Sequence, residues 1–145
     1  MSTEANKAVI RRFLIEAFGQ GDLAVVDEIV APNQVSAGPS ALPGIPSGPE
    51  GNKMLIMAYR NAFPDLHFTI DEQIAEGNMV VTRWTAHGTH KGELASVPAT
   101  GKSATVIGIG VDRIVNGKIV ESWGVFDQFG MLQQLGVIPT QGQAG

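Results

Sequence analysis

The hydrophobic periodicity of the chain changes once, near residue 65, and this change restricts the fold more than any other feature. Apolar residues before it recur at helical spacing, whereas residues 66–127 are rich in β-forming residues. Short turn signals interrupt the second half at residues 76–78 (EGN) and at Asn116-Gly117, and Asn-Gly is typical of a type I′ hairpin. Because short connections join antiparallel strands, the pattern predicts an α+β domain with helices packed on one face of an antiparallel sheet.

Three helices are predicted in the first half. Each combines an apolar stripe with polar, glycine or proline residues that can begin or end it. Between the second and third helices, residues 34–36 form an extended stretch and residues 37–48 a loop rich in proline and glycine. So long a loop in a compact domain is often the rim of a pocket. The boundary signals are Ser2 or Thr3 and residues 20–21 (QG) for the first helix, Asp22 and Pro32 for the second, and a capping box at residues 47–50 (SGPE) and Pro64 for the third.

The strands of the second half place alternate side chains on opposite faces of the sheet. Four strands are predicted, at residues 66–75, 79–90, 103–115 and 118–127. Both faces carry apolar and polar residues, so alternation alone does not decide which face is inside. One set of alternate residues comprises Thr82, Trp84, Ala86, Gly88 and His90 on the second predicted strand, Val106, Gly108, Gly110 and Asp112 on the third, and Ser122, Gly124 and Phe126 on the last.

Composition excludes several classes of function. A chain of 145 residues is expected to form a single domain, residues 1–145. Its ten basic residues are scattered and its net charge is −4, which argues against nucleic acid as a partner. The absence of cysteine excludes disulfides, a thiolate nucleophile and a zinc–thiolate site. Without an apolar run long enough for a membrane span, or a signal-peptide pattern at residues 1–4, the expected location is the cytoplasm.

Four segments together carry a resemblance to a known family. They are residues 88–90 (GTH), 98–102 (PATGK), 117–127 (GKIVESWGVFD) and 132–136 (LQQLG). The chain resembles the SnoaL-like polyketide cyclases of the NTF2-like superfamily over most of its length. The resemblance implies a cone, in which three N-terminal helices and a short C-terminal helix accompany a curved antiparallel sheet. It also implies a small hydrophobic ligand in a pocket between the concave face and the helices, and a homodimer, which the apolar face around Trp123 and Val125 could form. No cofactor motif appears in the sequence, so no cofactor is expected.

The resemblance also implies a reaction. SnoaL-like cyclases remove a proton from an acidic carbon, and the resulting enolate attacks a second carbonyl to close a ring. Gly124 stands where these cyclases carry their general acid/base aspartate, and their polar residues on the preceding strand fall near Gly108 and Gly110. The Asp-Arg-Asp set of the related limonene epoxide hydrolases falls on Gly124, Gly88 and His90. Neither set of catalytic residues is therefore present.

His90 is the predicted catalytic base, because a neutral imidazole in an apolar pocket can take a proton near working pH. The alternative is a structural histidine hydrogen-bonded to the backbone at a strand end. His87 lies an odd number of positions away and points to the opposite face, so the two histidines do not predict a metal site. The predicted substrate-binding residues are Gln34, Ser36, Tyr59, Trp84, Gly88, Gly108, Gly110, Ser122, Gly124 and Phe126.

Several of these residues have a structural alternative. Glycine inside a strand often marks a close approach, so an aromatic side chain could fill the space, or the glycines could widen the cavity for a flat ligand. Gln34 and Ser36 could bind a carbonyl or satisfy backbone groups beside the loop. Asp127 is expected to cap the last helix, and Asp112 to be a charge at the pocket rim, where an apolar environment could raise its pKa.

The predicted function is accordingly an aldol-type cyclisation, or related lyase or isomerase chemistry, on a hydrophobic polyketide-like substrate. Loss of the aspartate at position 124 favours an alternative, in which the protein binds a hydrophobic ligand without turnover. An epoxide-hydrolase-like activity, or assistance to a hydroxylation in which the cavity only shapes the substrate, is a further alternative.

Overall fold

The computed structural model describes residues 2–39 and 41–139. It confirms the predicted α+β class, with helices before the sheet and a short helix after it. The elements, in chain order, are α1 (Thr3–Arg12), a π-helical extension of α1 (Phe13–Phe18), α2 (Leu23–Ile29), β1 (Val30–Ala37), α3 (Gly48–Ala62), β2 (His67–Glu76), β3 (Met79–Thr89), β4 (Ser103–Val115), β5 (Lys118–Phe126) and α4 (Gln128–Gln134).

The five strands form one curved sheet in the order β1-β5-β4-β3-β2. Strands β2 to β5 are antiparallel neighbours, as predicted, but β1 pairs with β5 in parallel. The predicted antiparallel sheet is thus confirmed for these four strands. Strand β1, predicted only as an extended stretch at residues 34–36, adds a parallel edge strand, because it reaches β5 through a long crossover that includes α3 and three strands. Pro32 lies within β1, where an edge strand tolerates proline and the register shifts between Val30 and Val35.

The β4–β5 hairpin contains a bulge that determines which residues share the inner face. Its turn residues Asn116 and Gly117 have φ values of 51° and 78°, as a type I′ turn requires. Ile114 pairs with Ile119, but Arg113 pairs with Glu121, so β5 contains one extra residue between the two pairs. Because a one-residue shift exchanges the faces of a strand, this bulge places the remainder of β5 in phase with the inner face of β4.

The helix ends agree with the prediction in part. Asp22 precedes α2 but its side chain makes no capping hydrogen bond, and α2 ends at Ile29, before Pro32, which lies in β1. Ser2 caps α1 by accepting a hydrogen bond from the N–H of Ala5 at 3.0 Å, and Asp127 caps α4 through the N–H of Gly130 at 2.9 Å. The capping box predicted at residues 47–50 is wrong. The Ser47 hydroxyl accepts a hydrogen bond from the backbone N–H of Ser36 instead, at 2.9 Å, which ties the start of α3 to β1.

The hydrophobic core lies between the helices and the inner face of the sheet. Its most deeply buried members come from every layer, for example Val26 on α2, Ile56 on α3, Val80 on β3, and the Ile114–Ile119 pair across the hairpin. The π-helical extension adds aromatic side chains to the same layer, where the Phe13 and Phe18 rings pack edge to face with centroids 5.6 Å apart. No helix among the described residues has the length and apolar character needed to cross a membrane.

Candidate functional site

A cavity of about 230 Å³ separates the helices from the inner face of the sheet. The π-helical extension and α3 form one wall, which is apolar apart from Asn52 and Tyr59, and strands β3, β4 and β5 form the other. The long loop after β1 contributes Ala41 to the lining, in agreement with the predicted pocket rim. Because cross-strand partners lie side by side on one face, the sheet wall can be described as a series of rows running across the strands.

The first row is polar. Ser36 on β1 pairs with Ser122 on β5, and Ser122 pairs with Asp112 on β4. All three side chains line the cavity, and the Ser122 side chain is hydrogen-bonded to the Asp112 carboxylate. The row exists because the bulge in β5 brings Ser122, rather than Glu121, opposite Asp112. It gathers two hydroxyls and a carboxyl group at one edge of an otherwise apolar space.

The second row is almost free of side chains. Gly124 on β5 pairs with Gly110 on β4, which pairs with Thr82 on β3. A Cβ atom at Gly124 would meet no heavy atom within 4 Å. One at Gly110 would find the Oδ2 atom of Asp112 as its nearest neighbour, at 3.5 Å. The carboxylate of Asp112 therefore leans back over an open floor that the two glycines create.

The third row is aromatic. Phe126 pairs with Gly108, and Gly108 pairs with Trp84. A Cβ atom at Gly108 would lie 2.2 Å from the Trp84 ring, so the indole occupies this space. Further along, a Cβ at Gly88 would lie 2.9 Å from the Phe63 side chain. Both predicted alternatives for the strand glycines thus occur. Aromatic rings fill the space at Gly88 and Gly108, while Gly110 and Gly124 leave the cavity open.

Asp112 is the sole carboxylate among the described residues that line the cavity. Its side chain is only partly exposed, and what it faces is this largely apolar space. Burial raises the pKa of Asp112 from 3.8 to about 7, with the hydrogen bond from Ser122 acting in the opposite direction. Asp112 therefore lines the cavity rather than forming the rim charge that its position near a hairpin predicts. A carboxyl group of this acidity exchanges protons readily at neutral pH.

Tyr59 faces the same space from α3. Its ring packs edge to face against Phe126, with centroids 6.3 Å apart. Burial raises the pKa of Tyr59 to about 12, so its hydroxyl remains protonated at neutral pH and is available as a donor. Asn52, about two turns earlier on α3, also lines the cavity. It was not apparent from the sequence, because nothing distinguishes a buried asparagine on a helix before the fold is known.

Gln34 supports the polar row from behind. It is buried, but it does not line the cavity. Its amide nitrogen donates to the Ser36 hydroxyl at 2.8 Å, and its amide oxygen accepts from the Gly48 backbone N–H at 2.8 Å and from the Asn52 side chain at 3.0 Å. These bonds fit the predicted alternative in which Gln34 satisfies backbone groups beside the loop, and they also fix the orientation of Ser36 and Asn52.

His90 lies outside the cavity lining. Its imidazole is fully buried, stacks on Phe63 with ring centroids 5.3 Å apart, and accepts a hydrogen bond at Nδ1 from the Thr100 backbone N–H at 3.3 Å. This geometry fits the structural alternative for His90, because the ring is separated from the cavity by Phe63. The His87 imidazole lies on the other face of the strand, where Nδ1 is 2.9 Å from the Thr105 hydroxyl.

The structure thus brings most of the predicted binding residues together. The bulge that completes the polar row could not be predicted from the sequence. The position of Asp112 beside the cavity could have been, because it shares a strand face with Gly108 and Gly110. Of the ten predicted substrate-binding residues, Gln34 and Gly108 fall outside the lining, and the following eight lie within it: Ser36, Tyr59, Trp84, Gly88, Gly110, Ser122, Gly124 and Phe126.

A curved sheet and helices that enclose a small, mostly apolar cavity define an NTF2-like α+β protein, and comparison with known families narrows this class. Residues 8–135 match the sequence model of the SnoaL-like polyketide cyclases. The chain belongs to this family.

Three relatives illustrate the similarity. Aklanonic acid methyl ester cyclase DnrD of Streptomyces peucetius is 31% identical over 139 residues, which cover 94% of this chain and 92% of DnrD. The structure of IdmH from Streptomyces antibioticus, a suggested polyketide cyclase, is 34% identical with a TM-score of 0.78, covering 90% of this chain and 98% of IdmH. That of AclR from Streptomyces galilaeus, a suggested hydroxylase, is 27% identical with a TM-score of 0.82, covering 96% of this chain and 85% of AclR.

Proposed function

We propose that this protein catalyses an aldol-type ring closure of a hydrophobic, polyketide-like ester. The observation that carries the proposal is the order of the three rows on the sheet wall: polar, side-chain-free and aromatic. A polycyclic β-keto ester has matching parts, namely carbonyl oxygens, an acidic carbon between them, and a flat ring system. Membership of the cyclase family supports the same class of reaction.

The rows give each part of such a substrate a place. Its ring system would stack on Trp84 and Phe126, because flat aromatic faces favour offset or edge contacts with one another. Its carbonyl oxygens would accept hydrogen bonds from the hydroxyls of Ser36 and Tyr59, since the single O–H of Ser122 is directed to Asp112. Donors fixed before the reaction stabilise the negative charge that develops on an enolate oxygen. The apolar walls would exclude water, which would otherwise protonate the enolate before the ring closes.

Position 124 would contribute space rather than chemistry in this reaction. The resemblance implies that the acid/base aspartate of the family would fall at this position, whereas a Cβ atom at Gly124 would meet nothing within 4 Å. Together with Gly110, Gly124 leaves room above the sheet for the substrate segment that folds back on itself. Holding two reacting carbons close together can by itself accelerate ring closure substantially.

Product formation from defined substrates tests the proposal. The purified protein would be incubated with aklanonic acid methyl ester, the compound in the name of its Streptomyces relative, and with smaller β-keto esters. Ring closure is an isomerisation, so liquid chromatography with mass detection should show a product of unchanged mass and altered retention. Heat-inactivated protein is the control. No product from any ester, with the protein folded, would reject the cyclase proposal.

Ligand binding without turnover is the second candidate, and the absent side chain at Gly124 favours it. Native mass spectrometry of the same samples separates the two. A retained, chemically unchanged ester would identify a binding protein, whereas released isomer would identify an enzyme. The similarity to AclR, a suggested hydroxylase, adds a third possible outcome, in which the recovered compound has gained an oxygen atom.

A further inference from the structure

We propose that the carboxylate of Asp112 on β4 is the general base of the cyclisation, and that Ser122 positions it. The inference rests on the proposed function, and it goes beyond the family pattern, which puts the acid/base group on β5. In this chain the reactive carboxylate would have moved to the adjacent strand, diagonally across the sheet from position 124.

The geometry of the floor carries the argument. Asp112 and Gly110 lie two residues apart on the inner face of β4, and Gly110 is the cross-strand partner of Gly124. Diagonal neighbours of this kind have Cα atoms roughly 7–8 Å apart, within reach of a side chain. The Oδ2 atom of Asp112 already leans toward the glycine pair, 3.5 Å from where a Cβ of Gly110 would be. A substrate carbon resting on the glycine floor would therefore meet this oxygen.

The surroundings of Asp112 leave it without a competing base. The other titratable residues of the described lining are Tyr59 on α3 and His87 on β3, and the His87 ring bonds to Thr105 on the far face of the sheet. Residues that α1, its π-helical extension and α4 contribute to the lining are apolar. Next in the chain, Arg113 pairs with Glu121 at 3.6 Å, and both are on the outer side. Asp112 is thus the group placed to exchange a proton with the substrate.

Ser122 would act as a positioning residue. Its hydrogen bond to the carboxylate satisfies part of the hydrogen-bonding capacity of a group that few polar atoms otherwise surround. Because Ser122 is the direct cross-strand partner of Asp112, its hydroxyl lies beside the carboxylate, and its effect on the acidity of Asp112 opposes that of burial. Burial is the larger effect and gives Asp112 a pKa of about 7, which suits both removal and return of a proton at neutral pH.

The proton balance of the step closes without a cofactor. The carboxylate takes the proton from the carbon between two carbonyls, and the C–H electron pair becomes the enolate. The enolate carbon attacks a second carbonyl carbon of the same molecule, which forms the new C–C bond and leaves an alkoxide. The protonated carboxyl group then gives its proton to the alkoxide, so the product is an isomer and Asp112 is again a carboxylate.

Asp112→Asn is the variant that tests this role. The amide has nearly the shape of the carboxyl group and cannot accept the proton, so we expect kcat to fall by about 10²- to 10⁴-fold with KM little changed. Glu121→Gln is the matched control, because this exposed carboxylate lies on the neighbouring strand and faces away from the cavity. It should retain wild-type kcat.

The pH dependence of kcat/KM separates a base from a merely structural carboxylate. For the wild type we expect a rise with pH through an ionisation near 7, and for Asp112→Asn a residual rate without it. If the wild type turns over substrate and Asp112→Asn has the same kcat, the role of Asp112 is overturned and the proposed function stands. The same holds if Asp112→Asn is slower but its kcat/KM depends on pH as that of the wild type does. If that variant failed to fold, a wild-type profile that is flat between about pH 5 and pH 9 would still overturn it. Absence of turnover in the wild type would overturn both proposals.

Discussion

Asp112 shows how strongly a residue's chemistry depends on neighbours that are distant in sequence. Its sequence position, close to a tight hairpin, is one at which a carboxylate is usually solvated. The curved sheet instead turns it toward an apolar cavity, and burial shifts its pKa by far more than its single hydroxyl partner can offset. At the scale of the residue, the same burial that makes Asp112 a suitable base should also make it a source of instability.

Asp112→Asn should change stability in a pH-dependent way. The unfolded chain loses this proton near pH 3.8, whereas the folded protein holds it to about pH 7. The folded state therefore binds more protons in this range, and its advantage is lost as the pH rises through it. The difference in free energy of unfolding between Asp112→Asn and the wild type should therefore shift in favour of the variant by about 2 kcal/mol from about pH 4 to pH 8, allowing for partial exposure. Urea unfolding at both pH values measures this, and a pH-independent difference would contradict it.

His90→Ala should mainly affect stability. The fully buried ring packs on Phe63 and bonds to Thr100, so its removal leaves a cavity and should lower the free energy of unfolding by about 2–4 kcal/mol. The folded fraction should keep its kcat. Paired denaturation and turnover measurements would decide the matter: lost turnover at unchanged stability would instead make His90 the base.

The positions of the strands and turns could be predicted from local sequence, but the register in which the strands pair could not. Alternation and turn chemistry predicted β2 to β5 to within one residue at each end, because Asn-Gly and similar turns are local signals. The parallel edge strand and the bulge after Ile119 depend on how the whole sheet packs, and no short segment encodes them. The candidate site was therefore predicted as a set of strand faces, and the polar row across β1, β5 and β4 emerged only with the fold.

Gly108 and Gly124, on the neighbouring strands β4 and β5, should respond differently to replacement by alanine. Gly108→Ala places a methyl group 2.2 Å from the Trp84 ring and should destabilise the protein by about 1–3 kcal/mol. At Gly124 the methyl group would meet open space, so Gly124→Ala should be neutral, or more stable by up to about 1 kcal/mol. Urea unfolding of the two variants side by side is the measurement, and equal losses would show that the cavity floor is filled.

At the scale of the molecule, the outer face of the sheet carries exposed apolar side chains that no described element covers. Helices pack on the inner face, while Ile107, Ile109 and Trp123 on the outer face are 59%, 41% and 44% exposed. Clustered apolar side chains of this kind are typical of association surfaces. Joining two copies through this face would remove the cluster from water.

We therefore expect a homodimer, with a mass in light scattering of twice the 15.3 kDa of the chain. Ile107→Asp would place a charge within the buried interface and should give a monomer. Met57→Asp is the matched control, since Met57 is 45% exposed on α3, away from the outer face of the sheet. A wild type that remains monomeric at micromolar concentration would contradict this interface.

The central claim is that Asp112 on β4 has the acid/base role that the resemblance assigns to position 124 on β5, and exchanging the two positions tests it most directly. The measurement is the steady-state turnover of Asp112→Asn and of the double variant Asp112→Asn/Gly124→Asp on one cyclisable ester. Space at position 124 should admit the new side chain. We predict that the double variant recovers at least about tenfold in kcat over the single variant, with a raised KM because the floor is partly filled. A folded double variant no faster than the single variant, or a single variant as fast as the wild type, would contradict the claim.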